Sequence, residues 1–84
     1  MDAEELFQAT REVCTEILGV SQDAVTPSAL LRDDLGADSL DFAELAMALE
    51  DRTGLHIPDG GFADVKTIAD VVDVVRRHGS VVTS

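Results

Sequence analysis

Ser39 stands between two carboxylates, Asp38 and Asp41, in the run Leu35-Gly36-Ala37-Asp38-Ser39-Leu40-Asp41. A serine hydroxyl there could attack an acyl or phosphoryl centre, or could anchor a group that another protein installs. An Asp-Ser pair ahead of an apolar-periodic segment is also what a plain helix cap looks like. Nucleophilic attack needs a base within hydrogen-bond reach and a third group to orient that base. The only imidazoles belong to His56 and His78. If the residues after Ser39 are helical, His56 lies about 26 Å from it along the axis. His78 comes near only if packing happens to bring it there, and no Gly-x-Ser-x-Gly elbow surrounds the serine. The chain is therefore expected not to be an enzyme.

Metal chemistry fares no better. Asp33, Asp34, Asp38 and Asp41 offer oxygen ligands but lack the alternating spacing, central glycine and terminal glutamate of a calcium loop. Cysteine and histidine do not cluster as zinc requires. Cys14 is the single cysteine, so no internal disulfide forms. Among Val13, Ile17 and Leu18 it reads as a small buried hydrophobe.

The elements that must position Ser39 are helical. Asp2 and Glu5 form a capping pattern, Ala3, Leu6, Thr10, Val13 and Ile17 recur at helical spacing, and Gly19 stops the segment. Residues 20–37 show no clean period. Pro27 disfavours helix at Thr26, so the stretch reads as a long connection pinned by Val20, Val25, Leu30, Leu31 and Leu35, with room for one short helical turn. The second helix runs from Ser39 to Arg52, capped by Asp38 and Asp41, with Phe42, Leu45, Ala46 and Leu49 facing inward and Thr53-Gly54 closing it. Pro58 and Gly60-Gly61 limit Phe62-Ala63-Asp64-Val65 to at most one turn of helix. Thr67 and Asp70 cap a last helix with Ile68, Val71, Val72 and Val75 inward, ended by Gly79. The expected fold is all-α, a small bundle of three main helices plus one short helix, with a long loop between helices 1 and 2. Residues 1–79 are assigned to one domain and 80–84 to a flexible tail.

Seventeen acids against six Lys and Arg give a net charge of −11, which excludes nucleic acid as a direct partner and favours basic proteins. A hydrophobic content of 45% argues against disorder at this charge. The acidic N-terminus is no signal peptide and no apolar run is long enough for a membrane helix, so a cytoplasmic, monomeric protein without membrane contact is expected. Between Asp33 and Asp51 lie seven acids and no base. Leu40, Glu44, Met47 and Asp51 share one face of the second helix, and a face mixing apolar residues with a single sign of charge reads as a docking surface.

The segment Asp34-Leu35-Gly36-Ala37-Asp38-Ser39-Leu40-Asp41, followed by Glu44-Leu45 and Met47-Ala48-Leu49-Glu50, resembles the acyl carrier protein signature. The likeness continues through Ile57-Pro58-Asp59 and Thr67-Ile68 and covers nearly the whole chain. The resemblance implies a 4′-phosphopantetheine arm on Ser39, transferred from coenzyme A by a magnesium-dependent phosphopantetheinyl transferase, with acyl groups carried as thioesters. An anionic phosphodiester suits a helix N-terminus, where backbone N–H groups are free. By position, the resemblance makes Asp38, Asp41, Glu44, Glu50 and Asp51 the charged partner contacts and Leu40, Ala43 and Met47 the apolar ones. The partners would be acyltransferases, ketosynthases or acyl ligases with basic docking patches.

Two departures bear on the cargo. Where many fatty-acid carriers have a small β-branched pair, this chain has Phe42-Ala43; Phe42 is expected to narrow the acyl entrance, with Ala46 leaving space beside it. Gly60-Gly61 also replaces an acidic run often found after Ile-Pro-Asp. The expected function is a discrete carrier for fatty-acid or polyketide-type synthesis, tilted towards a specialised pathway. The alternatives are a carrier of amino acids or unusual starter acids, and an unmodified acidic adaptor that binds basic partners.

Overall fold

Each main helix begins at an oxygen ligand for its own first turn. In the computed structural model, which describes residues 2–57, 60–78 and 80–81, these helices are α1 (Ala3–Leu18), α2 (Ser39–Thr53) and α3 (Ile68–His78). Asp2 accepts the Glu5 N–H at 2.9 Å ahead of α1. Asp38 and Asp41 form a reciprocal capping box ahead of α2. Before α3, Thr67 Oγ1 accepts the Asp70 N–H at 3.2 Å while the Asp70 carboxylate accepts the N–H groups of Lys66 and Thr67. These contacts answer donors that an α-helix leaves unpaired at its start. Gly19 and Gly54 close α1 and α2 in the left-handed region, at φ of 70° and 72°.

The inward stripes meet in one aliphatic core. Leu6 and Val13 of α1, Leu45 and Leu49 of α2, and Ile68, Val71 and Val75 of α3 are all buried. α1 packs against both other helices. Each such side chain contributes roughly 1.5–3 kcal/mol on burial. Thr10, the one buried polar residue among those described, donates its hydroxyl to the Leu6 carbonyl at 2.7 Å. Cys14 is fully buried, and burial pushes its thiol up to about 11. At the surface, Arg52 ties the end of α2 to Glu12 and Glu16 of α1.

The long connection is held by backbone bonds as well as by apolar anchors. Pro27 and Ala29 carbonyls accept the N–H groups of Ala69 and Ile68, and Leu31 N–H donates to the Lys66 carbonyl at 2.9 Å. The loop thus supplies acceptors to the start of α3, which explains how so long a segment without helical period stays in place. Val25, Leu31 and Leu35 are buried as expected and Val20 is partly so, but Leu30 is 36% exposed. An isolated bridge between Leu30 and Thr67 holds its backbone and turns its side chain away from the core.

The short helical element lies at Gln22–Ala24, a single 3-10 turn inside this connection. Residues 60–64 form turns rather than a helix, with the Ala63 N–H on the Gly60 carbonyl at 3.0 Å, while Phe62 and Val65 are buried. Beyond α2, β1 (Leu55–His56) pairs antiparallel with β2 (Ser80–Val81), so the first two residues assigned to the tail are strand-paired. The features assigned to Pro58, Asp59, the Gly79 stop and residues 82–84 lie outside the described residues. No described helix is long and apolar enough to cross a membrane.

Candidate functional site

The approach to Ser39 is built from a turn. The Leu30–Leu35 segment curls so that Leu35 N–H reaches the Leu30 carbonyl and Gly36 N–H the Arg32 carbonyl. Gly36 takes φ of 75°, a conformation that costs glycine little, and Ala37 N–H then returns to the Leu31 carbonyl at 2.8 Å. With Leu35 and Ala37 buried on either side of it, this turn delivers Asp38 in extended backbone to the start of α2.

The capping box fixes what surrounds the serine. Asp38 Oδ1 accepts the Asp41 N–H, and Asp41 Oδ2 accepts the Asp38 N–H, each at 3.0 Å. Phe42 N–H starts the helical ladder on the Asp38 carbonyl. Ser39 is thus the first residue of α2, exposed, and among the described residues the N–H groups of Ser39 and Leu40 have no acceptor. Two free N–H groups at the positive end of a helix suit an anion attached at Ser39, so the residues fit a phosphodiester there.

From Ser39 a groove of about 430 Å³ runs along α2 towards the 60–63 turn. Phe42, Ala46 and Phe62 form its apolar wall, with Ala43 and Met47 on the outer side. Phe42 is half-buried, one helical turn below Ser39. The Arg32 guanidinium lies 4.8 Å from the centre of its ring.

The residues expected on the partner face divide. Leu40 and Met47 are 75% and 67% exposed, and Asp38, Ala43, Glu44 and Asp51 are exposed as well. Asp41 is half-buried and engaged in the cap. Glu50 turns towards β1 instead: its Oε2 accepts the Ile57 N–H at 3.2 Å and lies 2.9 Å from His56 Nδ1. Glu50 therefore anchors the segment after α2 in addition to lining the groove.

His56, paired with Glu50, does not line the groove. No described group of carboxylates, His and Cys is arranged to hold a metal ion. Sequence reasoning did not single out Arg32 or Phe62. The one available signal for Arg32 was its place as the last base before the acid run, which says nothing of a ring ten residues on.

Comparison with known proteins agrees with this geometry. The family described as "Phosphopantetheine attachment site" matches residues 8–75. An acyl carrier protein of Rubrobacter xylanophilus is 45% identical over 78 residues, covering 93% of this chain and 96% of that protein. An acyl carrier protein of Clostridium perfringens strain SM101 is 41% identical over 73 residues, covering 87% and 96%.

Proposed function

Because this chain belongs to the acyl carrier protein family, whose members are carriers of acyl groups on covalent phosphopantetheine rather than catalysts, we propose that Ser39 bears the arm and that α2 presents it to partner enzymes. The observation that carries this reading is the exposed Ser39 hydroxyl at the capped first turn of α2, with free N–H groups beside it and a groove leading away. When bound, the arm supplies a terminal thiol on which acyl groups ride as thioesters. The chain's own residues do the rest. Asp38 and Asp41 hold the helix start in register, and the Ser39 and Leu40 N–H groups face the attached anion. Ser39 needs no base of its own, since the transferase activates the hydroxyl.

The acids of α2 meet basic patches on the transferase and on successive acyltransferases, ketosynthases or acyl ligases, in the cytoplasm. Leu40 and Met47 supply the apolar contact, while Glu44 and Asp51 supply charge. The pathway is fatty-acid or polyketide-type synthesis. Phe42 at the groove mouth and Gly60-Gly61 in place of an acidic run tilt it towards a specialised pathway with short or polar cargo. Incubation with coenzyme A and a promiscuous transferase should raise the intact mass by one phosphopantetheine, and Ser39→Ala should abolish the gain. A gain that persists in Ser39→Ala would place the arm elsewhere.

A further inference from the structure

Among the described residues lining the groove beside Ser39, Arg32 is the only base. Its guanidinium is held over Phe42 at 4.8 Å, close enough for a cation–π contact to keep it at the groove mouth. Most of the other bases are committed elsewhere: Arg52 to Glu12 and Glu16, Arg77 to Asp73, and Arg11 to Gln8 and the Phe7 ring. Arg32 forms no ion pair among the described residues, although Asp33 and Asp34 follow it. The Asp34 carboxylate accepts the Leu30 N–H instead, at 2.8 Å. The groove's own carboxylate, Glu50, is engaged by the Ile57 N–H and His56.

The groove therefore combines a positioned cation, unpaired among the described residues, with a carboxylate already occupied. A guanidinium held over a ring by a cation–π contact still has N–H groups that can bond a carboxylate. A purely hydrocarbon chain gains nothing from those groups and must pass the Phe42–Arg32 pair to reach Ala46 and Phe62.

We propose that Arg32 is a specificity-determining residue that holds the free carboxylate of an acyl group with an acid at its far end, a dicarboxylic acid monothioester, against the Phe42 mouth of the groove. The proposal rests on the carrier reading with Ser39 as the attachment point. Such a carboxylate reaches Arg32 when the acyl end folds back over α2. Arg32 is exposed, so the preference is modest, about two- to fivefold.

The test loads wild type, Arg32→Ala and Arg32→Lys with glutaryl and with pentanoyl groups, of equal carbon number, from their coenzyme A thioesters. Cleavage of each thioester by hydroxylamine is then timed against the same thioester on free pantetheine. Wild type should protect glutaryl about two- to fivefold more than pentanoyl. Arg32→Ala should lower the protection of glutaryl and erase its advantage over pentanoyl, and Arg32→Lys should retain part of it. An unchanged glutaryl preference in Arg32→Ala would overturn the proposal, as would equal loss of protection for both cargoes, which marks a merely structural role. The NMR signals of the Arg32 side chain supply the remaining arm. If they shift fully between apo and free-thiol holo protein, with glutaryl adding nothing, Arg32 holds the phosphodiester and the proposal falls. Failure of the carrier reading is distinct, because it would appear in the mass spectrum as no loading on Ser39 before any cleavage is timed.

Discussion

On the proposed reading, Phe42 is the residue through which a small change in side chain reaches the cargo. It stands one turn below Ser39 at the groove mouth, half-buried, with a guanidinium on its exposed face. Beyond it, Ala46 leaves the groove open towards Phe62. Shortening Phe42 to alanine should widen the mouth. On loading with an octanoyl group, Phe42→Ala should protect the thioester from hydroxylamine about threefold better than wild type, close to the contribution of one further buried methylene. Equal protection would show that the ring does not restrict entry. The position of Phe42 on the inward side was legible from its spacing with Leu45 and Leu49. Its partner was not, because Arg32 comes from a loop with no period to read.

At the scale of the element, each helix start is an oxygen–amide arrangement, and the one that opens α3 can be tested by pH. The N–H groups of Thr67 and Lys66, donating to Asp70, hold its carboxyl below the usual carboxylate range. A group whose pKa is lower in the folded than in the unfolded state stabilises the fold above the unfolded value and loses that contribution as pH falls through the folded value. Asp70→Ala should therefore cost about 1 kcal/mol at pH 7, the size of a good cap. In a chain this short that is a fall in Tm of about 4–8 °C. The gap to wild type should narrow as pH drops below about 4, where an unfolded-state carboxyl begins to protonate. Thermal melts of both proteins at pH 7 and pH 3 check this, and a gap of constant size would assign the loss to packing instead. The caps and the helical spans were readable locally, from an acid or threonine followed three residues later by an acid. The sequence allows at most one turn of helix at Phe62–Val65 and one short helical turn within residues 20–37; residues 60–64 form turns, and the 3-10 turn lies at Gln22–Ala24. Four-residue elements have too few hydrogen bonds of their own for local pattern to decide between helix and turn.

Across the whole molecule, the net charge of −11 and the exposed α2 face act together. Long-range attraction raises the rate at which a basic partner arrives, and on the proposed reading the exposed Leu40 and Met47 supply the apolar contact. Glu44 is exposed and makes no ion pair among the described residues, so replacing it perturbs the fold little. Glu44→Lys should slow acyl transfer with a cognate partner by roughly 3- to 10-fold at low salt while leaving Tm within a few degrees. The defect should shrink in high salt, where charges are screened within about 3 Å. Equal turnover of mutant and wild type at low salt would remove Glu44 from the docking face. Glu50 should behave differently, because its carboxylate holds the Ile57 N–H and lies beside His56.

Local order along the chain was enough to determine three helices, their caps, an aliphatic core and a serine set at the first turn of α2. Those properties depend on residues three or four apart, and periodicity and capping patterns report such separations directly. The tertiary structure alone decided which loop residues turn inward, that Glu50 leans towards β1, and that Arg32 lies over Phe42. Each of these depends on a backbone or side-chain contact between segments that no local period links. The long connection keeps its place because Pro27, Ala29 and Leu31 exchange hydrogen bonds with the start of α3. Holding that connection is also what brings a cation to the groove beside Ser39.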